Sequence, residues 1–265
     1  MTPGRALLTV NGLQISYHQQ GQPVTVVHDV SLQVRAGQIV ALIGESGSGK
    51  SATALSILGL LGHGGRIEQG EIWLGEHNLR RCSKREYARL RGKMMAVIFQ
   101  DPMNALNPLM TVGKQILESV KRHSGLRGQA ARRSALQLMQ RAGLENSEKL
   151  YHQYPFQLSG GMCQRVMIAI ALASESRLLI ADEPTTALDV SVQAQILDEL
   201  RRLRDEEGLG ILLITHDFGV VAELADEVYV MRDGRIVESG SVYNVFERPA
   251  QAYTQELLSA ATAVD

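Results

Sequence analysis

The sequence predicts an α/β fold: a mostly parallel sheet covered by helices, preceded by an antiparallel β layer and interrupted by a helical subdomain. From residue 177 onward, short apolar strands alternate with helical stretches, which is typical of βα units. Before residue 35 the apolar runs are short, alternate with polar residues and are separated by turn residues, which favours antiparallel strands. Between residues 101 and 158 apolar side chains recur at helical spacing, which predicts the inserted helices.

Composition excludes several classes of protein. The 265 residues are 45% hydrophobic and 21% charged, enough apolar material for a sizeable core, and the net charge of −1 provides no global field for nucleic acid. Cys82 and Cys163 lack the spacing of a zinc site or a disulfide framework. The longest apolar run, Val166 to Ala173, is far shorter than the ~20 residues of a membrane-spanning helix. With no secretory signal at the start, we expect a cytosolic chain.

The predicted elements follow in order along the chain. Strands are predicted at 7–10, 14–17, 31–34, 38–43, 71–74, 96–99, 177–181, 210–215, 227–231 and 232–237, with turns at Asn11-Gly12, 21–23 and Asp233-Gly234. Helices are predicted at 50–61, around 112–120 and 131–139, at 191–205 and at 217–225. The basic stretch from Arg80 to Lys93 is interpreted as a solvated helix face. These elements divide the chain into four segments: 1–100 (β layer and first part of the core), 101–158 (helical subdomain), 159–241 (remainder of the core) and 242–265 (helical tail).

A glycine-rich loop lies between the strand at 38–43 and the following helix. It fits the pattern G-x-x-x-x-G-K-[ST] at every fixed position, in the strand, loop and helix context that the pattern requires. Its residues are Gly44, Glu45, Ser46, Gly47, Ser48, Gly49, Lys50 and Ser51. Backbone N–H groups in such a loop surround an anion at a helix N-terminus, Lys50 reaches the β- and γ-phosphates, and Ser51 can ligate Mg²⁺. The sequence therefore predicts a P-loop nucleotidase.

Two adjacent carboxylates follow the buried strand at 178–181. Asp182 is predicted to lie at the carboxyl end of that strand, where ligands bind in such sheets, and to ligate Mg²⁺. With Asp182 assigned to the metal, Glu183 is the better candidate for the base that polarises an attacking water.

The segment Leu158-Ser159-Gly160-Gly161-Met162-Cys163-Gln164-Arg165 resembles the LSGGQ signature of ABC-type ATPases. Further elements of that family occur in order. Gln100 resembles the Q-loop, Ala187-Leu188-Asp189 the D-loop, His216 the switch histidine and Tyr17 the aromatic residue that stacks on adenine. The resemblance to the family covers nearly the whole chain, from about residue 7 to about residue 260. Cys163 departs from the usual Gln or Arg and is interpreted as a buried small residue.

The resemblance implies a RecA-like P-loop NTPase core that uses ATP and Mg²⁺. It implies catalytic roles for Glu183, His216 and Gln100, and a Mg²⁺ site formed by Ser51, Gln100 and Asp182. In the family, the signature of one domain closes over the ATP bound by a second domain, so Ser159, Gly160, Gly161 and Gln164 are expected at the partner's ATP, with Asp189 in the D-loop. The partner domain is a paralogue or a second copy of this chain.

Two further segments narrow the resemblance. Residues 99–108, FQDPMNALNP, and the tail from Phe246 to Leu258 resemble importer ATPases for peptides and nickel, although Ala252 stands where Pro is usual. Peptide importers of the family usually continue further and have a cysteine-rich extension, whereas this sequence has no cysteine after Cys163. We therefore expect the D-type ATPase subunit of a nickel or metal-chelate importer, with a di- or oligopeptide importer as the alternative.

The expected partners are two membrane permease subunits, an extracytoplasmic substrate-binding protein and a second ATPase subunit, with no nucleic acid. The expected location is peripheral, on the cytoplasmic face of the plasma (inner) membrane. Two other classes are open: a soluble ABC ATPase acting on DNA or the ribosome, and a P-loop kinase or GTPase. The first usually has a long coiled-coil insertion, zinc motifs or tandem cassettes, and the second would not need the signature segment.

Overall fold

The computed structural model describes residues 6–19, 22–174, 176–186 and 188–262. Its strands are β1 Ala6–Gln19, β2 Gln22–Arg35, β3 Ile39–Ile43, β4 Gly65–Leu74, β5 His77–Asn78, β6 Met95–Ile98, β7 Leu178–Asp182, β8 Gly210–Thr215, β9 Glu227–Arg232 and β10 Arg235–Ser241. Its helices are α1 Lys50–Leu58, α2 Lys84–Leu90, α3 Pro102–Ala105, α4 Val112–His123, α5 Gly128–Arg141, α6 Ser147–Leu150, α7 Gly160–Leu172, α8 Val190–Glu207, α9 Phe218–Leu224, α10 Val242–Glu247 and α11 Ala252–Thr262. The chain forms two compact units: the described residues up to Ala88 with those from Leu203 onward (unit 1), and Arg89–Arg202 (unit 2).

The first part of unit 1 is an antiparallel sheet with the strand order β2-β1-β4-β5. The predicted turn at Asn11-Gly12 is wrong, because β1 continues through it as one long strand with a shift of register after Val10. Gly12 has φ 58°, and a Cβ on Gly70 of β4 would lie 2.4 Å from the Gly12 carbonyl oxygen. The Asn-Gly pair therefore forms a bulge where another strand approaches closely. The predicted 21–23 turn includes Gly21, which lies outside the described residues.

The second part of unit 1 is the sheet segment β10-β9-β3-β8. Strand β3 pairs in parallel with β8 and with β9, and β9 pairs antiparallel with β10. All residues of β3 and β8 are buried, as expected of strands covered on both faces. Helices α9, α10 and α11 pack on this segment through a cluster that includes Ile43, Phe218, Val230 and Tyr253.

Unit 2 contains the parallel pair β6 and β7 and the inserted helices. Helices α4 and α5 bury one side each, with Val112, Ile116 and Val120 on the first and Ala135 and Met139 among those on the second. This agrees with the helical spacing of apolar residues in the sequence. Unit 2 also includes β6, α7 and β7, so it is larger than the predicted helical segment 101–158.

The predicted alternation of strands and helices after residue 177 is confirmed, with shifts of one or two residues at most boundaries. Helix α1 ends at Leu58 rather than near residue 61, because Gly59 adopts a left-handed conformation (φ 62°) that caps it. Among the described residues, no helix combines the length and the apolar composition that crossing a bilayer would require.

Candidate nucleotide site

The phosphate loop of unit 1 connects β3 to α1, as the sequence predicts. Gly49, which precedes the helix, has φ 106°, a conformation that residues with a Cβ rarely adopt. In the part of the chain that the structure describes, no side chain caps the first turn of this helix. The N-terminal amides of α1 are thus not occupied by a capping side chain, which fits binding of an anion there.

The ammonium group of Lys50 lies against the backbone of the phosphate loop. Its Nζ donates hydrogen bonds to the carbonyl oxygens of Gly44 (2.7 Å) and Glu45 (2.8 Å), and the residue is only 5% exposed. A buried ammonium group needs such partners because desolvation is costly. The arrangement holds a positive charge at the centre of the loop, where a phosphate ligand would be favoured.

The back of the loop lies against the turn between β9 and β10. A Cβ on Gly44 would lie 2.1 Å from the carbonyl oxygen of Met231, so only glycine fits there. The Gly234 amide donates to the carbonyl oxygen of Ser48 (2.9 Å). The Ser48 hydroxyl is itself buried and finds no hydrogen-bond partner within the described residues. A buried hydroxyl of this kind fits a loop built to receive a polar ligand.

The C-terminal helix also contacts the loop. The Glu45 amide donates to Tyr253 Oη at 3.4 Å, and the guanidinium of Arg232 lies 4.5 Å from the centre of the Tyr253 ring. Tyr253 is 7% exposed, and burial raises the pKa of its hydroxyl above the ordinary value. The hydroxyl is therefore neutral at physiological pH.

Unit 1 also contains Tyr17 and His216. Tyr17 is half-buried in β1, and a Cβ on Gly65 of β4 would lie 2.8 Å from its ring, so the ring packs against that strand. His216 is exposed at the bend that follows β8. The next residue, Asp217, caps α9 by accepting a hydrogen bond from the Val220 amide (3.1 Å). The adenine and switch roles of Tyr17 and His216 stay predictions.

In unit 2 the predicted acidic pair ends β7. Asp182 is the last residue of the strand, and Glu183 follows with φ 47°, the left-handed region that side chains other than glycine seldom adopt. One carboxylate oxygen of Glu183 accepts hydrogen bonds from Thr186 Oγ1 (2.7 Å) and Gln100 Nε2 (3.2 Å). The structure therefore brings together Gln100 and Glu183, two of the predicted catalytic residues. Backbone strain held in place by such contacts is common at functional sites.

The signature segment begins helix α7. Ser159 is its N-cap, and its hydroxyl accepts a hydrogen bond from the Met162 amide (3.3 Å). Ser159 and Gly160 are exposed, whereas Gly161 is buried against α8, so closely that a Cβ there would lie 2.5 Å from Val192. Gln164, predicted at the partner's ATP, is only 2% exposed, and its Nε2 has no hydrogen-bond partner among the described residues. Ser159 and Gly160 are thus the accessible members of this predicted set.

Cys163 in the same helix is fully buried. Its Sγ lies 3.5 Å from the Pro155 carbonyl oxygen and from Met103 Sδ. Burial raises the pKa of the thiol, which disfavours the reactive thiolate. The interpretation of Cys163 as a packing residue agrees with this environment.

The D-loop precedes helix α8. Asp189 Oδ1 accepts a hydrogen bond from the Val192 amide (2.9 Å), so Asp189 caps the start of that helix. Val190, the next residue, is 85% exposed. Ala187, the first residue of the predicted D-loop, lies outside the described residues.

The donors predicted for Mg²⁺ are Ser51, Gln100 and Asp182. They offer a hydroxyl, an amide and a carboxylate oxygen, which are the hard ligands that Mg²⁺ prefers, so the donor set fits this ion. Among the described residues there is no cluster of three or more His, Cys, Asp or Glu side chains that could hold a metal.

Three residues at these positions were not found from the sequence: Thr186, Gly234 and Tyr253. Thr186 lies only three positions after Glu183, but nothing in the sequence indicates that its hydroxyl turns back to the carboxylate. Gly234 and Tyr253 reach the phosphate loop from residues distant in the chain. Their turn and tail motifs were visible, but these contacts depend on tertiary structure.

Comparisons with known proteins identify the class. Residues 27–186, more than half of the chain, match the model of the ABC transporter family. The ATP-binding cassette MJ0796, solved as a dimer in a post-hydrolysis state with ADP and Pi, superposes with a TM-score of 0.80 at 27% identity, over 89% of this chain and 98% of that one. The chain belongs to the ABC transporter family and has its P-loop ATPase fold, as the signature segment predicted.

Two curated relatives are similar over almost the whole chain. The glutathione import ATP-binding protein GsiA of Salmonella typhimurium is 47% identical over 262 residues, covering 97% of this chain and 42% of GsiA. The oligopeptide transport ATP-binding protein AppD of Bacillus subtilis is 45% identical over 260 residues, covering 98% of this chain and 79% of AppD. This chain thus spans less than half of GsiA and about four fifths of AppD.

The names of these relatives bear on the expected cargo. They refer to import of glutathione and transport of oligopeptides, and neither refers to nickel. They favour the alternative of a peptide importer over the nickel or metal-chelate importer expected from the sequence.

Proposed function

We propose that this protein is the ATP-hydrolysing subunit of an ABC importer for peptides or peptide-like compounds. The observation that supports ATP binding most directly is the phosphate loop, where a buried lysine lies beneath a glycine-rich turn at an uncapped helix N-terminus. In this proposal Lys50 and the amides of α1 bind the phosphates of ATP, because they present positive charge and donors to a dense group of anionic oxygens. Tyr17 stacks on the adenine.

Hydrolysis is assigned to unit 2 residues and His216. Glu183 accepts the proton of a water whose oxygen bonds to the γ-phosphorus, while the bond from that phosphorus to the bridging oxygen breaks, giving ADP and phosphate. Thr186 and Gln100 hold the Glu183 carboxylate in one orientation. His216 has the switch role that its position resembles.

Ser51, Asp182 and Gln100 would hold Mg²⁺. When bound, the ion neutralises charge that builds up on the phosphate oxygens.

A second ATPase subunit completes the active assembly in this proposal. The exposed cap Ser159 and Gly160 would bind the ATP held by that partner, since a helix N-terminus favours anions. Asp189 and Val190 are exposed at the start of α8, whose Val192 lies against Gly161 of the signature segment, and they would contact the partner. The partner is a paralogue or a second copy of the chain.

Membrane permeases are proposed to dock on the helical part of unit 2. This part presents large apolar side chains to solvent: Leu109 is 86% exposed, and Phe156 is 67% exposed and stacks on Tyr154 with ring centres 5.5 Å apart. A contiguous exposed apolar patch marks a contact surface, and the stacked rings of Tyr154 and Phe156 are the candidate for one here. Gln100 comes just before these helices in the chain and bonds Glu183, so it would link docking to hydrolysis. The subunit would thus lie peripherally at the cytoplasmic face of the membrane, and an extracytoplasmic protein would deliver the cargo.

The ATPase part of the proposal is tested with purified protein. We expect phosphate release from ATP that requires Mg²⁺ and stops when the ion is chelated. Absence of Mg²⁺-dependent release, by the protein alone and with its permeases, would contradict the proposal.

The cargo is tested by deleting the gene and following uptake of a labelled dipeptide, labelled glutathione and nickel. We expect reduced uptake of at least one peptide and unchanged nickel uptake, with recovery by the wild-type gene but not by Glu183→Gln. Reduced nickel uptake with unchanged peptide uptake would instead support the metal importer.

A further inference from the structure

We infer that Tyr253 is a positioning residue for the phosphate loop, and that the C-terminal helix α11 thereby sets the affinity for ATP. The inference rests on the proposed function and adds to it a residue far from the ATPase motifs in sequence. Its basis is the contact between Tyr253 Oη and the Glu45 amide, 3.4 Å apart and separated by 208 positions in the chain.

The position of Tyr253 is determined by packing on several sides. Its ring belongs to the buried cluster of Ile43, Phe218 and Val230, and the Arg232 guanidinium covers the ring at 4.5 Å. Arg232 in turn lies 3.4 Å from the carboxylate of Asp233, its neighbour in the turn. Because the ring is held on these sides, the Tyr253 hydroxyl lies at a fixed point. A phenylalanine would fill the same space but would offer no hydrogen-bond partner there.

The start of α11 is also fixed. Glu238 of β10 accepts hydrogen bonds from the amides of Ala250 (2.7 Å) and Gln251 (3.2 Å), the two residues before the helix. Burial alone would raise the pKa of Glu238, but the hydrogen bonds it accepts hold it below the ordinary value. Glu238 is therefore ionised at neutral pH, and its hydrogen bonds fix the two residues that lead into α11, the helix on which Tyr253 is the second residue.

The Glu45 amide is the group of the phosphate loop that the Tyr253 hydroxyl contacts. Glu45 follows Gly44, and both of their carbonyl oxygens accept hydrogen bonds from Lys50 Nζ. Tyr253 thus orients the same peptide segment that positions the charge beneath the loop. Without the hydroxyl, the Glu45 amide loses this partner and the segment gains freedom that ATP binding must remove.

The test compares Tyr253→Phe with a matched control, Tyr243→Phe. Tyr253→Phe removes only the hydroxyl and keeps the ring over which Arg232 lies, whereas Tyr243 on α10 is 68% exposed. The measurements are the dissociation constant of ATP, KM and kcat for ATP hydrolysis, and the thermal unfolding midpoint of the nucleotide-free protein.

For Tyr253→Phe we expect ATP affinity to fall and KM to rise by about two- to tenfold, the effect of one hydrogen bond, with kcat little changed and the unfolding midpoint slightly lowered, since the same bond is lost in the nucleotide-free protein. Tyr243→Phe should match the wild type. Wild-type affinity in Tyr253→Phe would overturn the inference, and so would a lowered unfolding midpoint with unchanged affinity of the folded protein, because Tyr253 would then be only a packing residue.

A third variant separates this inference from the proposed function. If the wild type binds ATP and Lys50→Ala does not, the proposed nucleotide site stands, and the result for Tyr253→Phe decides the inference alone. If the wild type binds no ATP and Lys50→Ala changes nothing, the proposed function fails and the inference fails with it.

Discussion

The phosphate loop and the acidic end of β7 both require left-handed backbone, but they obtain it in opposite ways. In the loop, Gly47 (φ 84°) and Gly49 (φ 106°) adopt it, and both lack the Cβ that would oppose it. After β7, Glu183 adopts φ 47° despite its Cβ, at a cost of about 1–2 kcal/mol. The loop conformation is thus favoured by its own residues, whereas that of Glu183 is imposed by its surroundings.

This difference indicates that the turn after β7 depends on one side chain, that of Glu183. A glycine or asparagine at position 183 would relieve the strain, yet the chain places a carboxylate there and secures it with Thr186 and Gln100. Strain that persists with such support indicates that the side chain, rather than the turn, is required. We therefore expect the chemistry to depend on Glu183 and binding to depend on the loop.

Replacing Glu183 by Gln should have the largest effect on the ATPase reaction. The amide has nearly the same shape but cannot accept a proton from water, so we expect the hydrolysis rate to fall about 10²- to 10⁴-fold. ATP affinity should stay within about twofold of the wild type, because the phosphate-binding groups are intact. Single-turnover hydrolysis and equilibrium binding measure the two quantities separately.

The same variant also tests pairing of the subunits. If ATP joins two copies of this chain and hydrolysis separates them, Glu183→Gln with Mg²⁺ and ATP should elute as a dimer in size exclusion, and the wild type as a monomer. Hydrolysis at the wild-type rate by Glu183→Gln would show that Glu183 is not the base.

Replacing Lys50 by Ala should give the next largest effect, on binding rather than on chemistry. Loss of a charged hydrogen-bond donor to phosphate should weaken ATP affinity about 100-fold. Lys114→Ala is a suitable control, because Lys114 is exposed on α4 and the substitution removes the same charge. Isothermal titration with ATP would measure both, and near wild-type affinity of Lys50→Ala would refute the role of the loop.

Features that depend on residues close together in the chain could be predicted from the sequence. The placement of the phosphate loop between a strand and a helix was predictable, since it follows from glycines and a lysine that are adjacent in the chain. The alternation of strands and helices was predictable because apolar periodicity is also local. The location of Asp182 at a strand end followed from the buried run before it.

Features that depend on distant contacts were not predictable. Asn11-Gly12 has the composition of a turn, but the approach of Gly70 makes it a bulge within β1. The strain at Glu183 and the contact of Tyr253 with the loop arise only when separate elements pack together. The expectation of nickel is not supported by the relatives, which are named for glutathione and oligopeptides, because the ATPase motifs bind ATP and do not depend on what is transported.

Alanine should be less favourable than glycine at both left-handed positions, as a replacement of the native glycine in the loop and as one of two replacements of Glu183 after β7. Gly49→Ala should lower the free energy of unfolding by about 1–2 kcal/mol, because the new Cβ meets Met231 and the Val26 carbonyl oxygen at 2.7 and 3.0 Å in a left-handed conformation. Glu183→Gly should be more stable than Glu183→Ala by about 1 kcal/mol, since both lose the carboxylate but only Ala keeps a Cβ. Chemical denaturation measures both differences, and equal stability of the two Glu183 variants would remove the claim of strain.

The smallest effect should come from Thr186, which supports Glu183 without being part of the motif. Thr186→Val has nearly the same volume but removes the hydroxyl that donates to the Glu183 carboxylate at 2.7 Å. Loss of one such hydrogen bond, about 1 kcal/mol, should lower kcat about fivefold by letting the carboxylate turn away, with KM for ATP unchanged. Thr186→Ser keeps the hydroxyl and should retain most of the rate. If Thr186→Val keeps the wild-type rate while Thr186→Ser is slow, the methyl group rather than the hydroxyl matters, and the orientation of Glu183 would then depend on Gln100 and the strained backbone alone.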